Sequence, residues 1–440
     1  MSLKNNFIIF VLFNIFNNSL CFQNNDRFTS AEIAIPFKTI NERDNIVIKT
    51  NILGENKNCS IDITSSQQLL YLTKETLKEN NILNKNEISL INQDGEKING
   101  YRKNTNIEFL GNEYRKGVII GNITSIMIKS NKKDKMHSFG FSHFIEEDNS
   151  LVHILYNAHL IKERQFSILY SYPNWGTLSF GQEGTLITDM KNLQRECKAV
   201  NSKYWGCHLS GIYIENVELP LEDDKIKKNN INIEINHDTI FDNGASDVIV
   251  PEEVFDFFYN YYFEKSLFIE EKCRIYENNF LKKIICDKLE NNKNKNDFEK
   301  MKRIHFVFDD VVDIYLLGKY FFDQNKNFKI IYIKENENFI MGKVFLSHYN
   351  MIYNYDEDKI IFFGMFGGRY LQSKINYSKK IEFKLLTNNE YIRYKIPKIN
   401  ENIFPLLKLL FAFILIGNII TFLTLCKINE KKKEREFLIE

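Results

Sequence analysis

The sequence predicts a mainly β protein that folds as two β lobes with a cleft between them. Short runs rich in Ile, Val, Phe and Tyr recur along most of the 440 residues, separated by Asn, Gly and Lys. Such alternation is typical of strands joined by turns. An aspartate on a turn after an apolar run occurs twice, at Asp62 and Asp242, 180 positions apart (242 − 62). Two acids in similar frames indicate a duplicated lobe, and the chain is long enough for two domains.

Composition limits the classes of function. Apolar residues make up 44% of the chain and aromatic residues 14%, which is enough to fill sizeable cores. The 58 basic and 57 acidic residues leave a formal net charge of +1. Nucleic acids normally demand a basic surface, so we expect no nucleic-acid partner.

The apolar runs predict strands, and two other segments predict a helix and a loop. The predicted strands are Asn45–Ile52, Ile107–Gly111, Val118–Ile128, Thr177–Phe180, Ile212–Val217, Ile231–Ile235, Ile304–Phe308, Phe328–Ile333 and Lys359–Phe363. Glu252 to Phe263 is a predicted helix, because it follows Pro251 and proline suits a first helical turn. Glu290 to Arg303 is rich in Asn and Lys, and its composition indicates a solvated loop.

The segment around Asp242 carries the most informative motif. Phe241-Asp242-Asn243-Gly244-Ala245-Ser246-Asp247-Val248-Ile249-Val250-Pro251 places an acid and a tight glycine turn between two apolar runs. Cys59-Ser60-Ile61-Asp62-Ile63-Thr64-Ser65-Ser66 is a looser copy. A buried carboxylate is costly unless it is paired or hydrogen-bonded, so both acids are candidates for chemistry.

The two ends of the chain predict a secretory membrane protein. Residues 1–22 read as a signal peptide, in which Lys4 precedes an apolar core and a small-residue exit. Residues 403–426 contain an apolar run long enough to span a bilayer. The basic tail, residues 427–440, is expected to stay cytoplasmic. The sequence therefore predicts a single-pass type I protein of the secretory pathway or cell surface, with its large domain lumenal or extracellular.

Five of the seven cysteines lie between the predicted signal and the predicted span, in an oxidising compartment. Proximity in the sequence favours pairing Cys273 with Cys286 and Cys197 with Cys207. Cys59 is then left over, on a strand that we expect to be buried. A free buried cysteine behaves as a small apolar group.

Several segments, in order, resemble those of the pepsin-like aspartic proteases. That family carries an Asp-Thr/Ser-Gly-Ser/Thr motif once in each lobe. The other similar segments are Phe166-Ser167-Ile168-Leu169-Tyr170, Gly176-Thr177-Leu178-Ser179-Phe180-Gly181, Tyr204-Trp205, Phe339-Ile340-Met341-Gly342-Lys343-Val344-Phe345-Leu346 and Asp358-Lys359-Ile360-Ile361-Phe362-Phe363-Gly364. The resemblance implies an N-terminal lobe at 23–195, a C-terminal lobe at 196–368 and a stalk at 369–402.

The resemblance also implies an activity and its residues. Asp62 and Asp242 would form the catalytic carboxylate pair of an endopeptidase that activates a water, with no cofactor and no metal. The supporting residues would be Ser65, Asn243 and Gly244, with Gly140 and Gly342 in the segments beneath the two acids. Leu110 and Gly111 would begin the flap, for which the alternative is an ordinary hairpin. We expect a peptide or protein substrate, a membrane tether through the C-terminal helix, and a monomer.

The motifs depart from the family pattern, and the departures leave two functions open. Ile63 and Thr64 stand where the family has a hydroxyl residue and glycine, Asn243 replaces a hydroxyl residue, and Leu110 replaces the flap tyrosine. One interpretation of Thr64 is that its side chain crowds Asp62 or the water. The first hypothesis is an active membrane-anchored endopeptidase. The alternative is a catalytically degenerate member that binds peptides or proteins without turnover.

Other chemistry has no support in the motifs. The eight histidines show no metal-binding spacing such as His-Glu-x-x-His. The sequence has no Gly-x-Ser-x-Gly nucleophile motif and no glycine-rich loop for phosphate. The segment before the first predicted strands is short for a family propeptide, and Ile35-Pro36-Phe37-Lys38 resembles only the end of one.

Overall fold

The structure is a computed structural model, and it describes most of the chain between residues 33 and 380. The described ranges are 33–39, 46–65, 68–80, 87–91, 97–110, 118–129, 136–143, 150–172, 175–181, 194–200, 203–215, 231–289, 297–363 and 368–371, with residues 375, 377 and 380. The chain divides into two compact units, residues 1–393 and 394–440, and both predicted lobes lie within the first. The predicted signal, span and tail lie outside the described residues.

Strands dominate the described residues. In chain order they are β1 Ile33–Thr39, β2 Ile46–Ile52, β3 Glu55–Asp62, β4 Leu69–Leu72, β5 Glu87–Ile91, β6 Lys97–Phe109, β7 Val118–Lys129, β8 His137–Gly140, β9 Gln165–Tyr172, β10 Trp175–Phe180, β11 Arg195–Lys198, β12 His208–Glu215, β13 Ile231–Phe241, β14 Val248–Val250, β15 Arg274–Glu277, β16 Leu281–Ile285, β17 Arg303–Phe308, β18 Val312–Leu316, β19 Ile330–Ile333, β20 Phe339–Met341, β21 Asn350–Asn354, β22 Lys359–Phe363 and β23 Gly368–Tyr370. Within the described residues every strand that the sequence predicts is present; β22 has its predicted bounds, and the other strands have shifted ends.

The helices are short. They are α1 Lys74–Glu79, α2 Leu151–Asn157, α3 Glu252–Phe257, α4 Lys265–Ile269 and α5 Lys343–Leu346, with 3-10 turns at Asp297–Lys300 and Gly318–Phe321. A π-helical segment, Phe258–Tyr262, continues α3, so the predicted helix from Glu252 is confirmed. The glutamates of the first turn of α3 suit the positive end of the helix dipole.

The described strands form two sheets. The first runs in the order β11-β22-β21-β9-β10-β1-β2-β3-β8-β4-β7-β6-β5, and the second in the order β15-β16-β19-β14-β20-β13-β12-β17-β18-β23. The first sheet takes β11, β21 and β22 from the second half of the chain. It therefore ties the two halves together through backbone hydrogen bonds as well as through side-chain packing.

The same strand arrangement occurs once in each half. In the first half, β3 is parallel to β8, β8 is antiparallel to β4, and β4 is parallel to β7. In the second half, β13 is parallel to β20, β20 is antiparallel to β14, and β14 is parallel to β19. Each acid lies at the end of the first strand of its set. Asp62 is the last residue of β3, and Asp242 directly follows β13. This repeat confirms the duplication that the two acidic motifs predict.

The segment that resembles the end of a propeptide is a structural strand. Strand β1 pairs with β10 on one side and with β2 on the other. Ile33, Ile35, Phe37 and Thr39 alternate toward the interior and are buried. This pairing gives the segment a place in the first sheet, and its resemblance to the end of a propeptide stays a prediction.

Burial also corrects the loop predicted at Glu290–Arg303. Residues 290–296 lie outside the described residues, but Asp297–Lys300 forms a 3-10 turn and β17 begins at Arg303. Phe298 and Met301 are buried in the main hydrophobic core. Two apolar side chains therefore anchor the end of this segment, although its average composition is polar.

The cysteine predictions are confirmed. Cys197 is bonded to Cys207, and Cys273 to Cys286. Cys59 is free and fully buried, where its Sγ lies 3.0 Å from the Thr50 hydroxyl. Burial raises the pKa of Cys59 to about 12. The thiol therefore stays neutral and behaves as a core side chain, as the sequence predicts.

Within the part of the chain that the structure describes, no helix combines the length and the apolar character needed to cross a membrane. The segment 403–426, for which the sequence predicts such a helix, lies beyond that part.

Candidate active site

Asp62 ends a buried strand and is held by the turn that follows it. Its side chain is 9% exposed, and Oδ1 accepts hydrogen bonds from the Thr64 backbone N–H at 2.9 Å and from the Thr64 hydroxyl at 2.7 Å. Thr64 itself is buried. The Thr64 hydroxyl therefore supports Asp62 with a hydrogen bond. The interpretation that the Thr64 side chain crowds the water stays a prediction.

Asp242 has an equivalent position in the second half. Its side chain is fully buried, and Oδ1 accepts a hydrogen bond from the Gly244 backbone N–H at 2.7 Å. Its own backbone N–H donates to Met341 O at 3.1 Å. In both halves, the N–H of the second residue after the acid therefore fixes the same carboxylate oxygen. Neither acid points into solvent.

Asn243 joins the two acidic turns. Its side-chain oxygen accepts from the Ile63 backbone N–H at 3.1 Å, and its side-chain nitrogen donates to Ile61 O at 2.8 Å. These two atoms lie on either side of Asp62 in the chain. Because Asn243 is itself the neighbour of Asp242, the structure places the two motifs in direct contact. Burial of Asn243 makes both bonds expensive to break.

The two predicted glycines lie in the strands beside the acids. Gly140 ends β8, opposite Asp62 in the parallel register. Gly342 directly follows β20, and a Cβ there would come within 2.0 Å of Asp247 O. The residues after each glycine bond to the third residue after the acid, through Ser142 N–H to Ser65 O at 2.9 Å and Lys343 N–H to Ala245 O at 2.7 Å. Ser65 and Gly342 therefore contribute through backbone contacts and close packing.

Two residues near the site were not predicted as members of it. The buried side-chain amide of Gln68 accepts from Gly140 N–H and donates to Gly140 O, both at 3.2 Å. Trp205 Nε1–H donates to Phe141 O at 2.8 Å, from a fully buried indole. Gln68 was detectable as a polar residue that immediately precedes the apolar run at Leu69. Its counterpart in the other half, six residues after the acid, is Val248, so the repeat gave no signal for it.

The flap prediction falls partly on described residues. Strands β6 and β7 form the expected antiparallel hairpin, and Leu110 follows β6. The Leu110 N–H donates to Lys49 O at 3.0 Å. Gly111 and the rest of the hairpin tip, through Gly117, lie outside the described residues. The role of Leu110 and Gly111 as a flap stays a prediction.

A match to a protein-family model that covers both acidic motifs identifies the family of this chain. The family model described as eukaryotic aspartyl protease matches residues 55–364. The chain belongs to this family. Basic 7S globulin from soybean is similar in fold, with a TM-score of 0.55 and 11% sequence identity over 76% of this chain and 95% of the globulin chain. At that identity the likeness shows the pepsin-like fold alone. No curated protein matches the chain.

Membership of the family makes the departures interpretable. The family's cross-lobe contact uses a hydroxyl side chain from each motif, whereas here Asn243 supplies both cross-motif hydrogen bonds and the aliphatic side chain of Ile63 is buried. Thr64 replaces the family's glycine and adds a hydroxyl donor to Asp62. Lys343 stands where the family has an aspartate. Among the described residues, no group of three or more His, Cys, Asp or Glu side chains is arranged to hold a metal ion.

Proposed function

We propose that this family member is a membrane-anchored aspartic endopeptidase in which Asp62 and Asp242 activate a water for peptide hydrolysis. The observation that carries the proposal is the position of Asn243. Its amide bonds to both residues that flank Asp62 while its backbone adjoins Asp242. A binding surface would have no need to hold two like-charged groups against each other, because that arrangement is electrostatically unfavourable.

The chemistry follows from two carboxyl groups that share one site. They cannot both ionise cheaply, so the pair holds one proton and titrates as a unit. The ionised carboxylate takes a proton from the water while the water oxygen attacks the peptide carbonyl carbon. The protonated carboxyl donates to the carbonyl oxygen, and a tetrahedral intermediate forms. Proton transfer to the nitrogen then lets the C–N bond break, without a covalent enzyme intermediate.

The substrate and setting extend the proposal. The substrate is an extended peptide segment of a protein, cleaved between apolar residues and best at acid pH. The catalytic domain works as a monomer in the lumen of the secretory pathway or at the cell surface. Residues 403–426 tether it to the membrane, and the tail at 427–440 lies in the cytoplasm. The apolar run and its basic flank support this orientation.

Cleavage of a peptide library by the purified full-length protein in detergent tests the activity. We expect cleavage at acid pH that Asp242→Asn abolishes, because the amide can neither take nor give the proton. A matched control is Asp256→Asn, which changes an exposed acid on α3. A pepstatin-type inhibitor, which places a hydroxyl between the acids, should block the wild type. Absence of cleavage by the wild type across the library and the acid range would rule the enzyme out.

The second candidate function is peptide or protein binding without turnover. It is favoured by the one-sided contact at Asn243, since Ile63 returns no side-chain hydrogen bond. Leu110 in place of the family's flap tyrosine points the same way. Binding of library peptides with equal affinity by the wild type and by Asp242→Asn, with no products from either, would support this candidate.

A further inference from the structure

A second cluster of ionisable groups lies inside the C-terminal sheet, apart from the acidic turns. It is built on three adjacent strands: Tyr213 and Glu215 on β12, Arg303 and His305 on β17, and Asp313 on β18. The strand register places Tyr213 opposite His305, and Glu215 opposite Arg303. The side chains of Glu215, His305 and Asp313 are fully buried. Burying a charge is costly unless it is paired and hydrogen-bonded, so these three ionisable side chains must compensate one another.

His305 uses both ring nitrogens. Nδ1 lies 2.9 Å from Asp313 Oδ1, and Nε2 lies 3.2 Å from Glu215 Oε2. A neutral imidazole has one N–H and could satisfy only one of these acceptors. An imidazolium has two N–H groups and satisfies both. The remaining contacts are consistent with ionised acceptors, since the Tyr213 hydroxyl donates to Asp313 Oδ2 and Arg303 donates to Glu215 Oε2 at 3.3 Å.

A protonated His305 balances the charges of the side chains that these hydrogen bonds join. Glu215 and Asp313 contribute two negative charges, and Arg303 contributes one positive charge. A protonated His305 supplies the second positive charge. Tyr213 and Tyr315 stack on the His305 ring at centroid distances of 4.0 and 5.0 Å.

The outer neighbours carry charges of both signs. Arg369 lies opposite Asp313 in the antiparallel register of β18 and β23.

The other outer neighbours are phenols and acids. The Tyr349 hydroxyl donates to Tyr315 O, and Tyr377 packs against the small core cluster that contains Tyr213. The carboxylates of Asp310 and Glu234 act on Tyr377 from further away. These carboxylates favour the imidazolium over the neutral ring, whereas the phenols are neutral at ordinary pH.

We propose that His305 is a buried proton-binding site that makes the C-terminal sheet more stable when it carries a proton between Asp313 and Glu215. This role of His305 does not depend on whether the acidic turns are catalytic. Loss of the proton leaves one of the two buried carboxylates without its imidazole N–H donor, in the middle of three paired strands. The C-terminal sheet is therefore more stable at acidic and neutral pH than at alkaline pH.

The direction of the His305 pKa agrees with this arrangement. Burial by itself lowers the pKa, but the charges and hydrogen bonds of Asp313 and Glu215 outweigh it, so the pKa rises above the ordinary value of 6.5. A group whose pKa is raised by folding contributes stability that is complete below its unfolded value. That contribution is lost as pH rises through the folded value. The stability loss should therefore fall above pH 6.5.

The experiment is thermal unfolding of the full-length protein in detergent at pH values from 6 to 9. We expect the wild-type Tm to fall by about 1 °C or more over this range, since the Tm shift produced by a given loss of stability shrinks as the chain grows. Asp313→Asn should flatten the profile, because a neutral imidazole can donate to Glu215 and accept from the amide. A profile for Asp313→Asn that is as steep as the wild type would overturn the proposal.

The matched control is His159→Asn. His159 is an exposed histidine with a left-handed backbone (φ 57°), which asparagine tolerates. This variant should keep the wild-type slope, and a flattened slope would assign the pH dependence to an exposed histidine instead of His305.

A second measurement stays decisive if Asp313→Asn fails to fold. In wild-type protein labelled with 15N-histidine, one ring should show two protonated nitrogens at pH 6 and keep them above pH 7. Its resonances should be those that move most in Glu215→Gln. A spectrum in which every histidine loses its second proton by pH 7 would overturn the proposal without any variant.

Discussion

At the scale of single residues, Asn243 explains how a degenerate motif still brings two acids together. A hydroxyl has one hydrogen to donate and can also accept, and the family places one in each motif. An amide side chain has an acceptor oxygen and a donor nitrogen at separate positions. Asn243 therefore makes both cross-motif bonds from one side chain, to Ile63 N–H and Ile61 O. This compensates for the aliphatic residue at position 63.

Removal of that amide should separate the two motifs. Asn243→Ala leaves a buried N–H and a buried carbonyl oxygen without partners, which costs about 1–3 kcal/mol. We expect the unfolding midpoint to fall and kcat/KM to drop by about tenfold or more, since each 1.36 kcal/mol of lost positioning is a factor of ten. Peptide hydrolysis and thermal unfolding of the same preparation provide the two measurements.

A matched control is Asn336→Ala. Asn336 is also buried, but its amide donates to Asn338 O within its own turn at 2.8 Å. This variant should lose stability without a specific loss of activity. If both asparagine variants lower kcat/KM equally, the cross-motif contact has no special role.

Thr64 gives a second prediction at this scale. Its hydroxyl donates to Asp62 Oδ1, and a hydrogen bond to a charged group contributes about 1.5–3 kcal/mol. Thr64→Val keeps the shape and removes the donor, so both stability and kcat/KM should fall. Thr64→Ser should retain most of both, because it keeps the hydroxyl. Activity and unfolding assays on the pair separate the hydroxyl from the side-chain volume.

Thr64→Gly distinguishes two roles of the threonine side chain, namely obstruction of the site and hydrogen bonding to Asp62. If the threonine side chain obstructs the site, its removal raises activity. If the hydroxyl holds Asp62, removal lowers activity, which is what the observed bond predicts. A glycine variant that is faster than the wild type would contradict the positioning role of Thr64.

At the scale of elements, each acid depends on a neighbouring strand that comes very close to its turn. Gly342 is the clearest case, because a Cβ there would lie 2.0 Å from Asp247 O and 2.8 Å from Ala245 O. Both contacts are backbone atoms, so no side chain can turn away to make room. The strand β20 and the turn after Asp242 therefore pack closely only with glycine at this position.

Gly342→Ala should displace that turn. Overpacking of this kind costs about 1–3 kcal/mol or more, and the displaced turn carries Asp242. We expect a lower unfolding midpoint together with a lower kcat/KM. The control is Gly121→Ala on β7, where an added Cβ would meet only the flexible Asn106 side chain at 3.2 Å. Equal effects of the two alanine substitutions would show that close packing at Gly342 does not matter.

The sequence predicts elements well where one rule decides them. The apolar runs give strands such as β2, β17 and β22 almost to the residue, because alternation and burial coincide there. Strand β6 was predicted only at its C-terminal end. Its other residues are mostly polar and partly exposed, and it is held by pairing with β7 and β5. Pairing partners are a property of the fold and leave no pattern in a single strand.

The site was predictable as far as the motif repeat reached. The two acids, Asn243 and the glycines follow from residue types at matched positions. The hydroxyl bond of Thr64 and the amide of Gln68 depend on side-chain directions in turns, which spacing does not encode. The short helices α1 and α2 were missed because each is too brief to show helical periodicity, although Thr73 and Ser150 are good N-caps.

At the scale of the whole molecule, the first sheet combines strands from both halves of the chain, although the two duplicated strand sets lie in different sheets. Strands β21 and β9 pair across the two halves, and β11 pairs with β22 beside them. The same region holds Trp205, which reaches from the second half to Phe141 next to Gly140. Domain closure or separation therefore has to bend a shared sheet, and Asn243 adds a side-chain link between the two acidic turns.

The proposed membrane tether gives the last prediction, and it concerns the division of the chain after Arg393. A chain ended at Arg393 contains the first compact unit and lacks the apolar run, so cells should secrete it as a soluble product. The full chain should stay in the membrane fraction through an alkaline carbonate wash, because a spanning helix is inserted irreversibly on this timescale. An epitope placed after Glu440 should be removed by protease added to the cytoplasmic side of sealed vesicles, with the large unit protected. Release of the full chain by carbonate would reject the span, and protection of the epitope would reverse the proposed orientation.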